Sequence, residues 1–416
     1  MKFRTIKGMR DILPDEAARW RAVENVVHQV MQIFNYREIR TPVLEQTELF
    51  ARSIGELTDI VSKEMYTFVD RSGDSVTLKP EGTASALRAY IQNNLAEQGL
   101  LTKLYYLGPM FRQERPQAGR LRQFHQFGAE ALGAMAPELD VEMMLIPLMI
   151  YRNLGVVQTG LLINSVGCPR CRPPYRELLR SELRKIRAQL SVDSQSRIEQ
   201  NPFRVLDSKD ESDRKATRSM PLMKDHLCAE CSAHFVRVQE LLKNLKISFE
   251  IDGHLVRGLD YYTKTAFEIT SRDLGSQNAL AGGGRYDLLV EELGGKPTPG
   301  VGFAAGMERL MMVLEKQNIA APGAAGPKVF LIGIDRRSRT WAFETVCALR
   351  ARGIPSETDY LERSVKAQLR EADRQHAEFV LVIGEEELTT GTGKLKEMKT
   401  GKEQAISLGT FAKTFS

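Results

Sequence analysis

The stretch AAPGAAGP, Ala320 to Pro327, divides this chain. It consists of small residues, glycine and proline, and reads as a linker by composition. About 90 residues follow it, enough to fold alone. KVFLIGI reads as a strand there, Trp341 to Leu349 as a helix, the segment with Leu361, Val365 and Leu369 as a second helix, and FVLVIG as another strand. Strands alternating with helices predict a small α/β domain over 327–416, with a mixed sheet.

Residues 1–326 make the larger part. Pro14, Asp15 and Glu16 open a helix: a proline in the first turn, then acids at the positive end of the dipole. Trp20, Val23, Val27, Val30 and Phe34 follow at helical spacing. IRTPVLEQTELF reads as an extended segment leading into another turn. VTLKP is an extended run stopped by Pro80, and EGTASALRAYIQNNL reads as helix. LGPMFRQERPQAGRLRQFHQFGAE, Leu107 to Glu130, reads as strand, loop, strand. From Gly167 to about Ser232 the chain turns charged and helix-prone, with 14 Lys/Arg against 10 Asp/Glu, and reads as an insertion of about 167–232. Strands resume at LKISFEI, which alternates apolar and polar. GGGRYD and GKPTPGVG read as glycine-rich turns. Met307, Leu310, Met311 and Leu314 form the stripe of a closing helix.

Net charge of +5 allows an anionic partner such as nucleic acid without demanding one. MKFRTIKGMRDILP has no apolar run behind its charges, and VEMMLIPLMIY is too short to span a bilayer, so the chain reads as cytoplasmic, with no membrane partner. Five cysteines do not make a disulfide scaffold. GxxxxGK[ST], GxSxG and HExxH are absent. GVGFAAG is a near miss for GxGxxG with the wrong spacing, and a tight turn before a helix explains it better. A nucleotide here must therefore be held by side-chain arginines.

The stretch Leu107 to Glu130 offers them. Arg112, Arg115, Arg120 and Arg122 surround its loop, and its return strand ends on Glu130. A solvated hairpin needs no such set; something anionic belongs at the arginines and something small and polar at Glu130. Distant companions are RGLDYYTKTAFEI from Arg257, ALAGGGRYD from Ala279, and GVGFAAGMERL, which carries Arg309. Each alone has a bland reading as a surface pair, a hairpin or a solvated helix residue. Together they resemble the histidyl-tRNA synthetases, a branch of the class II aminoacyl-tRNA synthetases. KGMRDILP matches that family's N-terminal segment. FNYREIRTPVLEQTELF resembles motif 1, the arginine-rich hairpin motif 2 and PGVGFAAGMERL motif 3, while RGLDYYT and LAGGGRYD are similar to the two peptides that mark the histidine enzymes.

The resemblance implies an α+β catalytic domain over 1–326, a largely antiparallel class II sheet flanked by helices, with a helical insertion, then an anticodon-binding α/β domain over 327–416. It implies a homodimer with motif 1 at its interface. It implies activation of L-histidine with ATP and Mg²⁺, then transfer to the 3′ end of tRNA(His). Two anions must meet in the first step, so fixed positive charge is required, and arginine supplies it as a rigid fork. By the resemblance Arg112 and Arg257 hold the α-phosphate and Arg309 an outer phosphate. Glu114 meets the adenine amino group or the motif 2 loop, and Phe124 stacks on adenine. Glu81, Thr83 and Gln126 face the α-amino group; Glu81 can equally be a helix N-terminal acid. Glu130 takes an imidazole N–H, and Tyr261 or Tyr262, with Tyr262 favoured, meets the other nitrogen. Gly282, Gly283 and Gly284 leave room for substrate beside the backbone. Arg115, Arg120 and Arg122 meet the tRNA acceptor end or form a solvated basic loop.

CPRC (Cys168, Cys171) and CAEC (Cys228, Cys231) bracket the insertion. Four thiolates at this spacing predict a structural zinc site; the alternative is four reduced thiols in helical turns. His226 and His234 are further candidate ligands, though packing suits them better. Cys347 reads as core. Two other readings compete: a synthetase-like regulatory subunit of ATP phosphoribosyltransferase, which typically lacks catalytic residues and the anticodon domain, and a threonine or glycine class II enzyme, which RGLDYYT and Glu130 disfavour.

Overall fold

The helix Pro14–Ile33 forms as its sequence requires, with a proline at its first position, Asp15 and Glu16 in the first turn, and Trp20, Val23, Val27 and Val30 buried along one face. The computed structural model describes residues 3–55, 58, 60–117, 119–208, 210–256, 261–319 and 326–415. The chain makes two compact units, Met1–Ala321 and Pro322–Ser416.

Strands of the first unit are, in chain order, β1 (Arg37–Glu38), β2 (Leu44–Gln46), β3 (Tyr66–Val69), β4 (Ser75–Leu78), β5 (Thr102–Phe111), β6 (Gln123–Leu132), β7 (Thr159–Ser165), β8 (Glu250–Ile251), β9 (Thr263–Ser271), β10 (Ala279–Arg285) and β11 (Gly300–Gly306). Eight form one sheet in the order β1-β5-β6-β11-β10-β9-β7-β8. It is parallel at its two edges, β1 with β5 and β7 with β8, and antiparallel between, as expected of the family. Side chains alternate across a strand. On β6, Phe127, Ala129 and Ala131 therefore enter the main core, with Trp20, Met143, Ile146 and Leu310 of the covering helices. Gln126 and Glu130 point to the other face. β2, β4 and β3 form a separate small sheet.

Helices Arg172–Lys185, Val192–Gln200, Phe203–Leu206 and Glu211–Ala216 build the inserted segment. They enclose their own core of Tyr175, Leu179, Leu183, Ile198 and Val205. Helix Ala229–Asn244 serves both cores: Cys231 joins the inserted one, while Phe235, Val238 and Leu242 join the core under the sheet. Among the described residues no helix is long and apolar enough to cross a membrane. VEMMLIPLMIY lies inside the helix Pro137–Asn153.

The second unit holds β12 (Val329–Gly333), β13 (Ser356–Thr358), β14 (Phe379–Ile383), β15 (Thr392–Glu397) and β16 (Glu403–Ser407), ordered β13-β12-β14-β15-β16. The first three strands are parallel and the last pairings antiparallel, so the sheet is mixed. Helix Arg336–Ala351 starts on a capping box of Asp335 and Ser338.

Several readings are corrected. GGGR and GVGFAAG are neither turns nor loops; they are strands β10 and β11. A Cβ on Gly283 would stand 2.7 Å from Phe267 and Phe303, so glycine is there for close packing. LKISFEI yields only the two residues of β8 as strand; Ile247 and Phe249 pack on the core from an irregular segment leaving a helix. Leu361 precedes the helix Val365–Arg374 and is exposed, and Cys347 is exposed too, on the solvent side of its helix.

Candidate active site

A cleft of about 840 Å³ opens on the sheet face away from the main core. The β5–β6 hairpin and β9 to β11 wall it, and Asp207, Ser208 and Arg214 of the inserted segment line it too.

Behind Thr83, Tyr286 and Gly302, which line the cleft, lies Glu130, fully buried. Thr83 Oγ1 donates to its Oε1 at 2.8 Å, Tyr106 donates to the same oxygen at 3.2 Å, and the Tyr286 hydroxyl donates to Oε2. Burial pushes the carboxyl up to about 8, against the pull of these hydroxyls, and the charge of Glu81 adds to the rise. Room for the carboxylate comes from Gly302, directly across on β11. A Cβ there would overlap Oε2 and stand 2.7 Å from Glu130 Cδ and from the Ala129 carbonyl oxygen.

Glu81 is also buried. Thr83 N–H and Ala84 N–H each donate to it at 2.7 Å, so it caps the helix Thr83–Gln92. Its carboxyl is raised by burial, against those bonds and the nearby Arg112. It lines the cleft as well, so the cap and a ligand-facing role coexist. Gln126 Oε1, on the same wall, is buried with no hydrogen-bond partner among the described residues. An acceptor left this way fits a ligand donor. Tyr261 and Tyr262 line the cleft with ring centroids 4.7 Å apart, and Tyr261 packs edge-on against Tyr286 at 5.7 Å.

Cationic groups gather toward the outer half. Arg112 donates from Nε to the Pro80 carbonyl at 2.9 Å and lies 5.3 Å from the Phe124 ring centroid. Glu114 accepts from Arg120 at 3.0 Å and stands 3.8 Å from Arg112. Arg309 donates to the Ala279 carbonyl at 2.8 Å. Burial, with the charges of Arg120 and Arg112, lowers its pKa, the signature of a guanidinium held beside its own kind. Arg112, Arg120 and Arg309 thus share one cleft. Glu308, the residue before Arg309, accepts the His125 N–H at 3.0 Å and so fixes the closing helix to β6.

The sequence placed some residues differently. Arg120 lies on the cleft wall, not on a solvated basic loop. Arg122 turns inward, donating its backbone N–H to the Gly8 carbonyl and its Nε to the Glu114 carbonyl at 3.3 Å. Arg115 is exposed. Gly282 lines the cleft, but Gly283 and Gly284 give no room to substrate: a Cβ on Gly284 would meet Thr265 O at 2.5 Å and the Tyr262 ring at 2.9 Å. Arg257 falls in 257–260, outside the described residues. Tyr106, Tyr286 and Gly302 were missed. The available signal was that a buried acid needs donors and space, and Tyr286 stood in a peptide already singled out.

The four cysteines meet. Their Sγ atoms all lie within 4.8 Å of one another. Cys168 is 3.6 Å from Cys171 and 3.9 Å from Cys228, and Cys228 N–H donates to Cys171 Sγ at 3.1 Å. Burial would raise the Cys168 thiol, but backbone N–H groups of Cys171 and Arg170 hold it at about 6. The histidines stand apart: His226 packs on Tyr175, and His234 pairs with Asp140 at 3.2 Å.

Residues 8–310 match the family model described as histidyl-tRNA synthetase, and 328–416 match that of an anticodon binding domain. A curated histidine–tRNA ligase of Moorella thermoacetica is 48% identical over 402 residues, 97% of this chain and 95% of that one. The solved apo histidyl-tRNA synthetase of S. aureus shares 37% identity and a TM-score of 0.85, with 99% of each chain covered. A Bacillus halodurans chain described as an ATP phosphoribosyltransferase regulatory subunit/histidyl-tRNA synthetase has a TM-score of 0.67 at 21% identity, covering 92% of this chain and 99% of that one, a likeness of fold. With relatives this similar along nearly its whole length, the chain belongs to the histidyl-tRNA synthetase family, within the class II aminoacyl-tRNA synthetases.

Proposed function

We propose that this chain activates L-histidine with ATP and passes the histidyl group to the 3′ end of tRNA(His). A carboxylate oxygen of histidine attacks the α-phosphorus, its bond to pyrophosphate breaks, and histidyl-adenylate remains. A ribose hydroxyl of the terminal adenosine then attacks the carbonyl carbon, and AMP leaves. The observation that carries this reading is one cleft that brings Arg112, Arg120 and Arg309 together with the hydroxyls of Thr83 and Tyr286, which ring the buried acid Glu130 behind them.

Arg112 and Arg257 hold the α-phosphate, and Arg309 holds an outer phosphate. Adenine stacks on Phe124, while Glu114 keeps Arg120 in place beside it. Glu81 and Gln126 receive the α-amino group. Thr83, whose hydroxyl is committed to Glu130, positions that acid. Glu130 takes one imidazole nitrogen and Tyr262, beside Tyr261, the other. Glu268, a carboxylate on the cleft wall, would offer a hard oxygen to a Mg²⁺ bound with ATP, which would neutralise phosphate charge. Cys168, Cys171, Cys228 and Cys231 would hold a Zn²⁺, which would brace the fold and supply nothing to the reaction. Sulfurs about 2.3 Å from a tetrahedral ion lie about 3.8 Å apart, which suits the Cys168 pairs at 3.6 and 3.9 Å. Exposed Arg115 faces the tRNA, and the chain works as a homodimer through motif 1.

Pyrophosphate exchange into ATP, run with each amino acid, tests the reading: exchange appears with histidine and with no other. Arg309→Ala lowers it by about 10²- to 10³-fold with thermal unfolding unchanged. No exchange with any amino acid favours the regulatory-subunit reading, and parental exchange in the Arg309 variant refutes the phosphate assignment.

A further inference from the structure

The four-cysteine cluster is linked to the cleft wall through residues with no assigned role. Glu230 stands between Cys228 and Cys231, and Arg170 between Cys168 and Cys171, and these two side chains pair with each other. Glu230 also accepts from Lys264 Nζ at 3.0 Å. Lys264 is 5% exposed, so its ammonium is carried into the protein with Glu230 at 3.0 Å and Asp287 at 3.8 Å. Its backbone sits at φ 50°, a left-handed conformation that costs a lysine about 1 kcal/mol or more. Such a residue persists only where its surroundings fix it. Lys264 N–H donates to the Gly167 carbonyl and Val166 N–H donates to the Lys264 carbonyl, both at 2.8 Å. Gly167 is the residue before Cys168. Val166 and Gly167, just before the first cysteine pair, thus hold the backbone of Lys264, and Glu230, inside the second pair, holds its side chain. Two residues earlier comes Tyr262, and three earlier Tyr261, both on the cleft wall.

We propose that the four-cysteine centre is a clasp for the histidine pocket, with Glu230 and Lys264 as positioning residues that set Tyr261 and Tyr262 at the entry to β9. The proposal rests on the zinc and synthetase readings above. Zinc ties the two cysteine pairs together; the pairs hold Lys264 in its left-handed turn; the turn orients the tyrosines. The phosphate half of the cleft is built on β5, β6 and the closing helix, and the clasp does not touch it.

The test is metal analysis, thermal unfolding and pyrophosphate exchange on the full-length parent and on Glu230→Gln. The variant is expected to keep one zinc per chain and the parental melting temperature, while the KM for histidine rises about tenfold, a usual loss for an outer partner of a metal site. The KM for ATP stays at the parental value. Zinc stripped with a chelator raises the histidine KM of the parent likewise, and added ZnCl₂ restores it. A variant that keeps zinc with a parental histidine KM overturns the clasp and leaves the zinc reading standing. Equal rises in both KM values with a lower melting temperature also overturn it, as general destabilisation. A parent free of zinc, or one carrying iron, overturns the zinc reading and the clasp with it. A parent inactive with histidine is failure of the enzymatic reading, visible before any variant is made.

Discussion

Gly302→Ala isolates the geometry on which the histidine pocket depends. Gly302 has an ordinary strand conformation, so alanine brings no backbone strain, and the effect comes from one methyl group. That methyl overlaps Glu130 Oε2 and stands 2.7 Å from both Glu130 Cδ and the Ala129 carbonyl oxygen. Carbon and oxygen rest at about 3.5 Å, so each must yield by the better part of an ångström. Ala129 cannot: its strand is registered between β5 and β11 along its length. The Glu130 side chain must move, and it leaves the hydroxyls of Thr83, Tyr106 and Tyr286 when it does. Crowding costs about 1–3 kcal/mol, and each buried group left unpaired costs about as much again. A shift of about 1 Å in a positioning group reduces turnover about 100-fold. The expected result is a fall of that size in kcat/KM for histidine, a KM for ATP within a factor of two of the parent, and melting lower by a few degrees. Gly108→Ala, also in a strand of this sheet but with nothing near its would-be Cβ, is the neutral control. Parental kcat/KM in Gly302→Ala would falsify the claim that this glycine makes room for the acid.

Glu130 is raised from 4.5 to about 8, so the folded chain binds a proton there that the unfolded chain releases. Its contribution to stability is full below pH 4.5 and is lost as pH rises to 8, by at most about 1.4 kcal/mol per pH unit. Glu130→Gln removes that slope in urea titrations across this range; an unchanged slope refutes the assignment. Arg285 and Asp140 are both fully buried and paired at 2.6 Å, so Arg285→Ala lowers unfolding free energy by about 3–5 kcal/mol; a loss under about 1 kcal/mol in urea melts contradicts a dry ion pair. Cys347 is the exposed thiol, so a maleimide labels it first in the native protein, and Cys347→Ser abolishes the fast phase. Rapid labelling of the other four thiols argues against a metal among them.

The sequence revealed what is local or periodic. The helix from Pro14 announced itself through its proline, its acids and its apolar spacing, and the hairpin through strands around a proline–glycine loop. What it concealed is held by distant partners. The glycines of β10 and β11 look like turn residues because glycine permits turns; their reason lies across the sheet, for Gly283 in Phe267 and Phe303 of the adjoining strands and for Gly302 in Glu130, far away in sequence. Tyr286 meets Glu130 across 156 residues and Tyr106 across 24, and neither spacing leaves a pattern to read. Arg112 and Arg309 were legible as charges that needed a purpose, whereas Arg120 was left between an acceptor-end contact and a solvated loop because nothing in RPQAGR says on which side of the loop its arginine folds. Cys347 failed for the opposite reason: an apolar neighbourhood in the sequence became the exposed side of a helix.

Depth divides the labour of this cleft. Its outer half carries fixed cations that never lose their charge, which suits an anionic triphosphate whose binding must survive any pH. Its floor holds an acid whose proton is in balance near neutrality, surrounded by hydroxyls that can turn to give or to receive. Such a floor accepts an imidazole, which offers a donor and an acceptor on one ring. An apolar side chain of equal size would bring neither, and polar groups that turn toward an imidazole would have nothing to meet. Stranded polar groups of this kind let a site reject an analogue by about 10⁴-fold or more without a second, editing step. On the proposed assignment, the discrimination of histidine therefore resides in the hydroxyl shell of one carboxyl group, and the arginines, which bind every ATP alike, contribute rate and no selectivity.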